Sequence, residues 1–312
     1  MSAVRTVLGD IAPESLGTCD AHDHLFLRIP ALRGQELDDP AAAAAELASY
    51  RELGGRGLAQ WTPFGLGRRA GELPELSRAA GVHLIAATGL HQAAHYPPEL
   101  LERLRAGGLA ELFTSELTEG MFADDSPDGP RTAVRAGMIK VAGVFHGLDA
   151  HAREVMAAAA AAHHATGAPI GVHHEMGTAV ADVLGLLHDD LGVPTGSIVL
   201  GHLNRFPDPG LHLELAASGA FLAFDGPSLA NHPTDWRLLE CLTALASAGH
   251  LGQLLLGGDT TTARARASTG GGPGLPYQLR VLRPRVAREL GEDAAETVFT
   301  RNPARAFAAD WR

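Results

Sequence analysis

Lysine is nearly absent from this chain. Of the 25 lysines and arginines among its 312 residues, Lys140 is the only lysine. Arginine stays protonated and is a poor nucleophile, whereas a buried lysine can lose its proton and react. Lys140 lies in Gly137-Met138-Ile139-Lys140-Val141-Ala142, an apolar run that reads as a strand. Cysteine is scarce too: Cys19 and Cys241 alone cannot build a disulfide framework. Positive charge is in deficit, and a formal net charge of −11 without a basic stripe excludes nucleic acid as the expected partner. Long apolar runs are missing. The alanine-rich stretch 155–168 contains His163 and His164 and is too short to span a bilayer, and Asp10 and Glu14 interrupt the only candidate leader. A soluble, cytoplasmic protein is expected.

What is abundant is alternation. Short apolar runs at 18–25, 57–62, 83–88, 137–144, 170–174, 197–201, 221–224 and 253–257 read as strands. Helical patterns fill 40–53, 68–80, 97–104, 149–166, 178–191, 209–218, 234–248 and 276–290. Pro40, Pro97, Pro209 and Pro276 stand near helix starts, and Gly54, Gly81, Gly167, Gly192, Gly219 and Gly249 stand just past helix ends. Eight strand–helix pairs predict an α/β fold of the (β/α)8 TIM-barrel type, with residues 1–312 as a single domain. A doubly wound open sheet is the alternative, but no glycine-rich phosphate fingerprint follows the first strand. Loops are expected at 124–131 and at 260–274, the latter on the barrel face where active sites sit and placed to act as a lid or pocket wall.

The 16 histidines direct attention to the strand ends. The first strand carries His22-Asp23-His24, whose imidazoles share one side because residues i and i+2 point the same way. Lys140 is on the fourth strand. The fifth ends in His173-His174, the sixth in Gly201-His202 and the eighth in Gly258-Asp259. His173 is preferred to His174 as a ligand, since His174 has the opposite facing; His163 and His164, mid-helix, read as packed or solvated. Neutral imidazoles and carboxylates suit zinc and similar divalent ions. Four histidines and an aspartate exceed one tetrahedral site and suit two metal ions with a bridging ligand. Any one of these residues alone would be unremarkable; the ordered set is what carries the inference.

These residues resemble the phosphotriesterase family of the amidohydrolase superfamily. The resemblance rests on His-x-His on the first strand, Ile139-Lys140-Val141 on the fourth, and His173, Gly201-His202 and Asp259 on later ones. Thr6-Val7-Leu8-Gly9-Asp10 and Asn302-Pro303-Ala304-Arg305 extend it toward both ends. It implies that Lys140 is carbamylated by carbon dioxide and bridges two divalent ions, zinc by expectation. His22, His24 and Asp259 would hold one ion, His173 and His202 the other. Arginine at 140 could not replace that bridge. The implied reaction is hydrolysis of an ester-like bond by a hydroxide shared between the ions, with Asp259 as the catalytic proton carrier. The resemblance also implies a homodimer acting on a small molecule.

The stretch Gly201–Asp208, Phe224-Asp225-Gly226 and the 271–275 loop look most like the branch that includes phosphorylated sugar-lactone hydrolases. Arg205, Arg264 and Arg266 are candidate substrate-binding residues, because arginine recognises phosphate bidentately. Asn204 and the Thr260-Thr261-Thr262-Ala263-Arg264 spacing depart from that branch. His91 and Tyr96, with His95, are candidate donors to substrate, and Trp61 a candidate apolar wall. The expected activity is hydrolysis of a lactone or related carboxylic ester, phosphorylated or not. The alternatives are an organophosphate triester hydrolase and a metal-binding sensor without activity.

Overall fold

A computed structural model describes residues 2–228 and 231–312. Its strands are β1 (Ala3–Thr6), β2 (Gly9–Ile11), β3 (Cys19–Asp23), β4 (Gly57–Gln60), β5 (His83–Gly89), β6 (Met138–Ala142), β7 (Ile170–His173), β8 (Ile198–Leu200), β9 (Phe221–Asp225), β10 (Leu254–Gly257) and β11 (Ala308–Ala309). β3 to β10 form one sheet of eight parallel strands in sequence order, with helices between them: a (β/α)8 TIM barrel. All eight expected strands are present. β1, β2 and β11 make a small antiparallel sheet.

Close approach of backbones closes the barrel. The Asp259 amide donates to the His22 carbonyl at 2.9 Å, joining the last strand's exit to the first strand. A Cβ on Gly257 would lie 2.5 Å from the His22 carbonyl oxygen, so this contact requires glycine. Inside, the Trp61 ring occupies space that a Cβ on Gly171 would invade at 2.8 Å.

Helix starts follow local signals. Asp39, ahead of Pro40, accepts from the Ala41 and Ala42 amides; Asp149 accepts from Ala152; Asp208, ahead of Pro209, accepts from Gly210 and Leu211. Gly81 and Gly167 close helices in the left-handed region. Two helical segments lie outside the expected pattern: Leu109–Thr118, which packs on Ala150–Thr166, and the run of short helices within 292–306. Among the described residues no helix is long and apolar enough to cross a membrane.

A buried ion cluster ties the 124–131 loop to the barrel wall. Arg68 reaches both Glu116 oxygens, one of them at 2.7 Å, and its Nε lies 2.6 Å from Asp125. Glu116 also accepts from Thr88 Oγ1 at 2.6 Å, one residue before the Gly89 that pairs with Lys140. Removing one member of a buried pair leaves the other charge uncompensated. Arg68→Met is therefore expected to lower unfolding stability by about 3–5 kcal/mol in urea titration; a loss below about 1 kcal/mol would show the cluster to be dispensable.

Candidate active site

The site stands at the C-terminal ends of the strands, and hydrogen bonds fix how each imidazole faces it. His24 Nδ1 is 2.8 Å from Thr62 Oγ1, and that hydroxyl spends its single hydrogen on the Phe26 carbonyl at 2.5 Å. His24 Nδ1 must then donate, leaving a lone pair on Nε2. Asp225 accepts from two rings: His22 Nδ1 at 2.9 Å and His202 Nδ1 at 2.5 Å. Glu175 accepts from His173 Nε2 at 3.1 Å. All four histidines therefore carry their hydrogen on an outward nitrogen and turn a lone pair inward.

Those lone pairs converge where they repel. His22 Nε2 and His24 Nε2 lie 3.6 and 3.5 Å from Asp259 Oδ1, an anionic oxygen. His202 Nε2 and His173 Nδ1 lie 2.7 Å apart. Electron pairs gathered this way need a cation among them, and metal sites built on histidine use this outer ring of carboxylate and hydroxyl partners. His22, His24 and Asp259 have ligand atoms within 4.8 Å of one another, as do His22, His202 and Asp225. In the second group the Asp225 distances are those of hydrogen bonds to Nδ1, so Asp225 is an orienting group there.

Ionisation agrees with this arrangement. Burial pushes His24 and His173 down to about 4, so both are neutral at pH 7. Burial alone would raise Asp259, but His202 and His22 nearby hold it well below the usual carboxylate range. Lys140 is 3% exposed and its side-chain amine makes no hydrogen bond or ion pair among the described residues. Burial lowers its amine to about 7, with Asp259 acting against the shift and Arg205 with it. Neutral imidazoles, an ionised carboxylate and an amine that is half neutral at pH 7 form a donor set that fits divalent metal ions.

The candidate substrate-binding residues divide. Arg205 sits at the centre, donating to Asp259 Oδ2 at 2.5 Å and to Asn231 at 2.9 Å. Its remaining terminal nitrogen has no partner among the described residues. His91 packs on His173, with ring centroids 4.5 Å apart. Arg264 is exposed on the last loop. Three others are placed elsewhere. Trp61 is fully buried, its ring 4.1 Å beneath His22 and its Nε1 bonded to the Ala21 carbonyl, so it is a floor under the site rather than a wall that substrate meets. Tyr96 is buried and its hydroxyl accepts the His91 amide at 2.8 Å, which shapes the loop. Arg266 is 2% exposed and donates to the Leu25 carbonyl, so it offers no guanidinium to a phosphate. The 260–274 loop is pinned as well: Glu46 accepts from the Ser268 and Leu275 amides. It is a wall rather than a mobile lid. His174, the rejected ligand, is buried with neither ring nitrogen bonded.

Sequence reasoning missed Thr62, Asp225 and Glu175, the groups that set the tautomers. It also missed an apolar rim. Phe145, Met176, Phe206 and Trp236, four of the large exposed hydrophobic side chains, stand in the four successive loops after β6, β7, β8 and β9.

Over residues 2–307 the sequence matches the Phosphotriesterase family. The chain belongs to that family. Its relatives include a phospho-furanose lactonase of Mycoplasmopsis agalactiae, 29% identical over 76% of this chain and 70% of that one. Among solved structures, a lactonase of Listeria monocytogenes superposes with a TM-score of 0.89 at 27% identity, covering 98% of this chain and 99% of that one. The phosphotriesterase homology protein of Escherichia coli, crystallised with phosphate in its active site, superposes with a TM-score of 0.84 at 25% identity, covering 94% and 99%.

The shared Asp225 gives a test of the tautomer argument. Asn at 225 can accept from one ring but must offer an N–H to the other, turning that histidine's lone pair outward. Asp225→Asn is expected to weaken metal binding about 10–100-fold in chelator competition, with the far-UV spectrum unchanged. Unaltered metal affinity would contradict the assigned tautomers.

Proposed function

We propose that this member of the phosphotriesterase family is a metal-dependent hydrolase of lactones or related carboxylic esters, with two divalent ions, zinc by preference. His22, His24 and Asp259 would hold one ion and His173 and His202 the other, with the carbamate of Lys140 between them. The observation that carries this reading is the convergence of inward lone pairs on an ionised Asp259 beside a buried, unbonded amine. When bound, the two ions lower the pKa of a shared water and polarise the carbonyl of the ester.

The chain's own groups do the rest. The Lys140 amine, neutral above about pH 7, can add to carbon dioxide and release a proton, becoming the anion that a bridge requires. Asp259 is the ionised carboxylate at the centre of the site and is placed to take a proton and return it to the leaving oxygen. Arg205 holds Asp259 in that orientation through Oδ2. A fixed phosphate site is less well built than the phospho-furanose relatives would suggest. Arg266 is turned inward, Arg205 is engaged with Asp259 and Asn231, and the rim is apolar. The substrate is therefore read as an unphosphorylated lactone or ester.

A panel of sugar and alkyl lactones, each with and without phosphate where chemistry allows, tests this reading on zinc-loaded enzyme. Unphosphorylated lactones are expected to be turned over at least as fast as phosphorylated ones. No turnover anywhere on the panel would sink the reading, and faster hydrolysis of a phosphotriester by orders of magnitude would replace it with organophosphate hydrolysis. Metal loading also has a predicted pH dependence. The Lys140 pKa of about 7 makes the amine mostly protonated at pH 6 and mostly neutral at pH 8. Metal taken up by apoenzyme in bicarbonate should rise across that interval, whereas the imidazoles at about 4 contribute nothing there. Equal uptake at both values would argue against a lysine bridge.

A further inference from the structure

The seam of the barrel is closed by side chains. β3 and β10 stand at the two ends of the strand order, and no backbone ladder joins them among the described residues. Three successive amides after β10 bond to the first strand instead. The Gly258 amide donates to Asp20 Oδ1 at 3.2 Å, the Asp259 amide to the His22 carbonyl at 2.9 Å and the Thr260 amide to Asp23 Oδ1 at 3.0 Å. Each of these carboxyl oxygens also accepts an amide of its own segment: Asp20 Oδ1 from His22 at 3.0 Å, and Asp23 Oδ1 from His24 at 2.7 Å. Thr260 Oγ1 adds a bond to Asp23 Oδ2 at 3.3 Å.

Both aspartates are buried, and neither forms an ion pair among the described residues. A buried carboxyl group without a counter-cation is costly to keep. These two hold four backbone N–H groups between them. Their other oxygens press on Gly258: a Cβ there would collide with Asp23 Oδ2 and lie 3.3 Å from Asp20 Oδ2, so the approach requires glycine. The far side of the same exit is fixed too. Gln278 Nε2 and the Gly226 amide both donate to the Gly257 carbonyl, at 2.8 and 2.7 Å. Between these holds Asp259 takes a φ of +48°, a left-handed conformation that a non-glycine residue keeps only where its surroundings over-determine it. With its backbone so held, the carboxylate faces His22 and His24, whose Nε2 atoms lie 3.6 and 3.5 Å from Oδ1.

We propose that Asp20 and Asp23 are positioning residues for Asp259: through the Gly258 and Thr260 amides they hold its backbone in the conformation that presents Oδ1 to the ion shared with His22 and His24. This rests on the reading of the site as a metal centre, and it assigns no metal contact to either aspartate. Asp20 also holds the His22 amide and Asp23 the His24 amide, so each carboxyl group ties one histidine ligand to the aspartate ligand of the same ion. The ion assigned to His173 and His202, at the ends of β7 and β8, has no such tie to the seam.

The test measures zinc retained against graded concentrations of a chelator, in bicarbonate, for wild type, Asp23→Leu and Asp23→Asn. Leu is close in size and offers no acceptor, whereas Asn keeps an oxygen for the two amides. Wild type is expected to hold two ions per chain. In Asp23→Leu one ion is expected to be weakened about 10–100-fold while the other stays within about threefold of wild type, and Asp23→Asn is expected to recover most of the loss. A merely structural role would weaken both ions together. Should Asp23→Leu not fold, Asp23→Ala and Asp20→Ala, whose smaller side chains leave room for water, carry the same comparison. The proposal is overturned if the variant without an acceptor keeps both ions at wild-type affinity, if it loses both in parallel, or if Asn recovers nothing. Wild type that takes up no zinc would overturn the metal-site reading itself; two ions in wild type with an unaffected Leu variant would overturn only the role of the aspartates.

Discussion

The structure depends on one constraint: imidazole rings whose hydrogens are tied outward, so that their lone pairs meet. Thr62, Asp225 and Glu175 impose it, through contacts of 2.8, 2.9, 2.5 and 3.1 Å to His24, His22, His202 and His173. Without these partners each ring could flip or change tautomer and the site would lose its charge pattern. With them, lone pairs face the Asp259 carboxylate and one another at distances that only a cation makes favourable. The metal-site reading follows from that electrostatics as much as from family membership.

The barrel supplies the precision. Gly257 lets β10 exit against His22, which brings Asp259 from the last strand to the histidines of the first. Trp61 fills the space beneath, accommodated by the bare backbone of Gly171, and supports the His22 ring from below. Above, the pinned 260–274 loop and the strap from Gln92 to Glu175 leave little slack. A site assembled from the ends of different strands needs such rigidity, because small displacements of ligands weaken both binding and catalysis.

How legible this was from sequence follows from what each residue needs. The eight strands and most helices were readable, since apolar runs, Asp-Pro starts and glycine stops are local signals. The ligand candidates were readable because they fall at strand ends in order. The orienting groups were not: Thr62 and Asp225 act across strands, and nothing in their local sequence announces a partner 38 or 203 residues away as an imidazole, while Glu175, only 2 residues from His173, gives no sign in sequence of which ring nitrogen it meets. Arg266 and Trp61 were misassigned for the same reason. Arginine near a strand end suggests an anion, and only the fold shows that this one turns back to the Leu25 carbonyl. The helix at Leu109–Thr118 escaped because it follows another with a single glycine, Gly108, between them.

Lys140 joins these strands of argument. It is buried, its amine without hydrogen bond or ion pair among the described residues, and lowered to about 7, near Asp259 and the histidines of the candidate site. The most direct test is carbon-13 NMR of enzyme reconstituted with labelled bicarbonate and a diamagnetic divalent metal such as zinc. The account predicts one carbamate carbonyl resonance in wild type that is absent from Lys140→Ala prepared alongside it. Fully metallated, active wild-type enzyme without that resonance would contradict it.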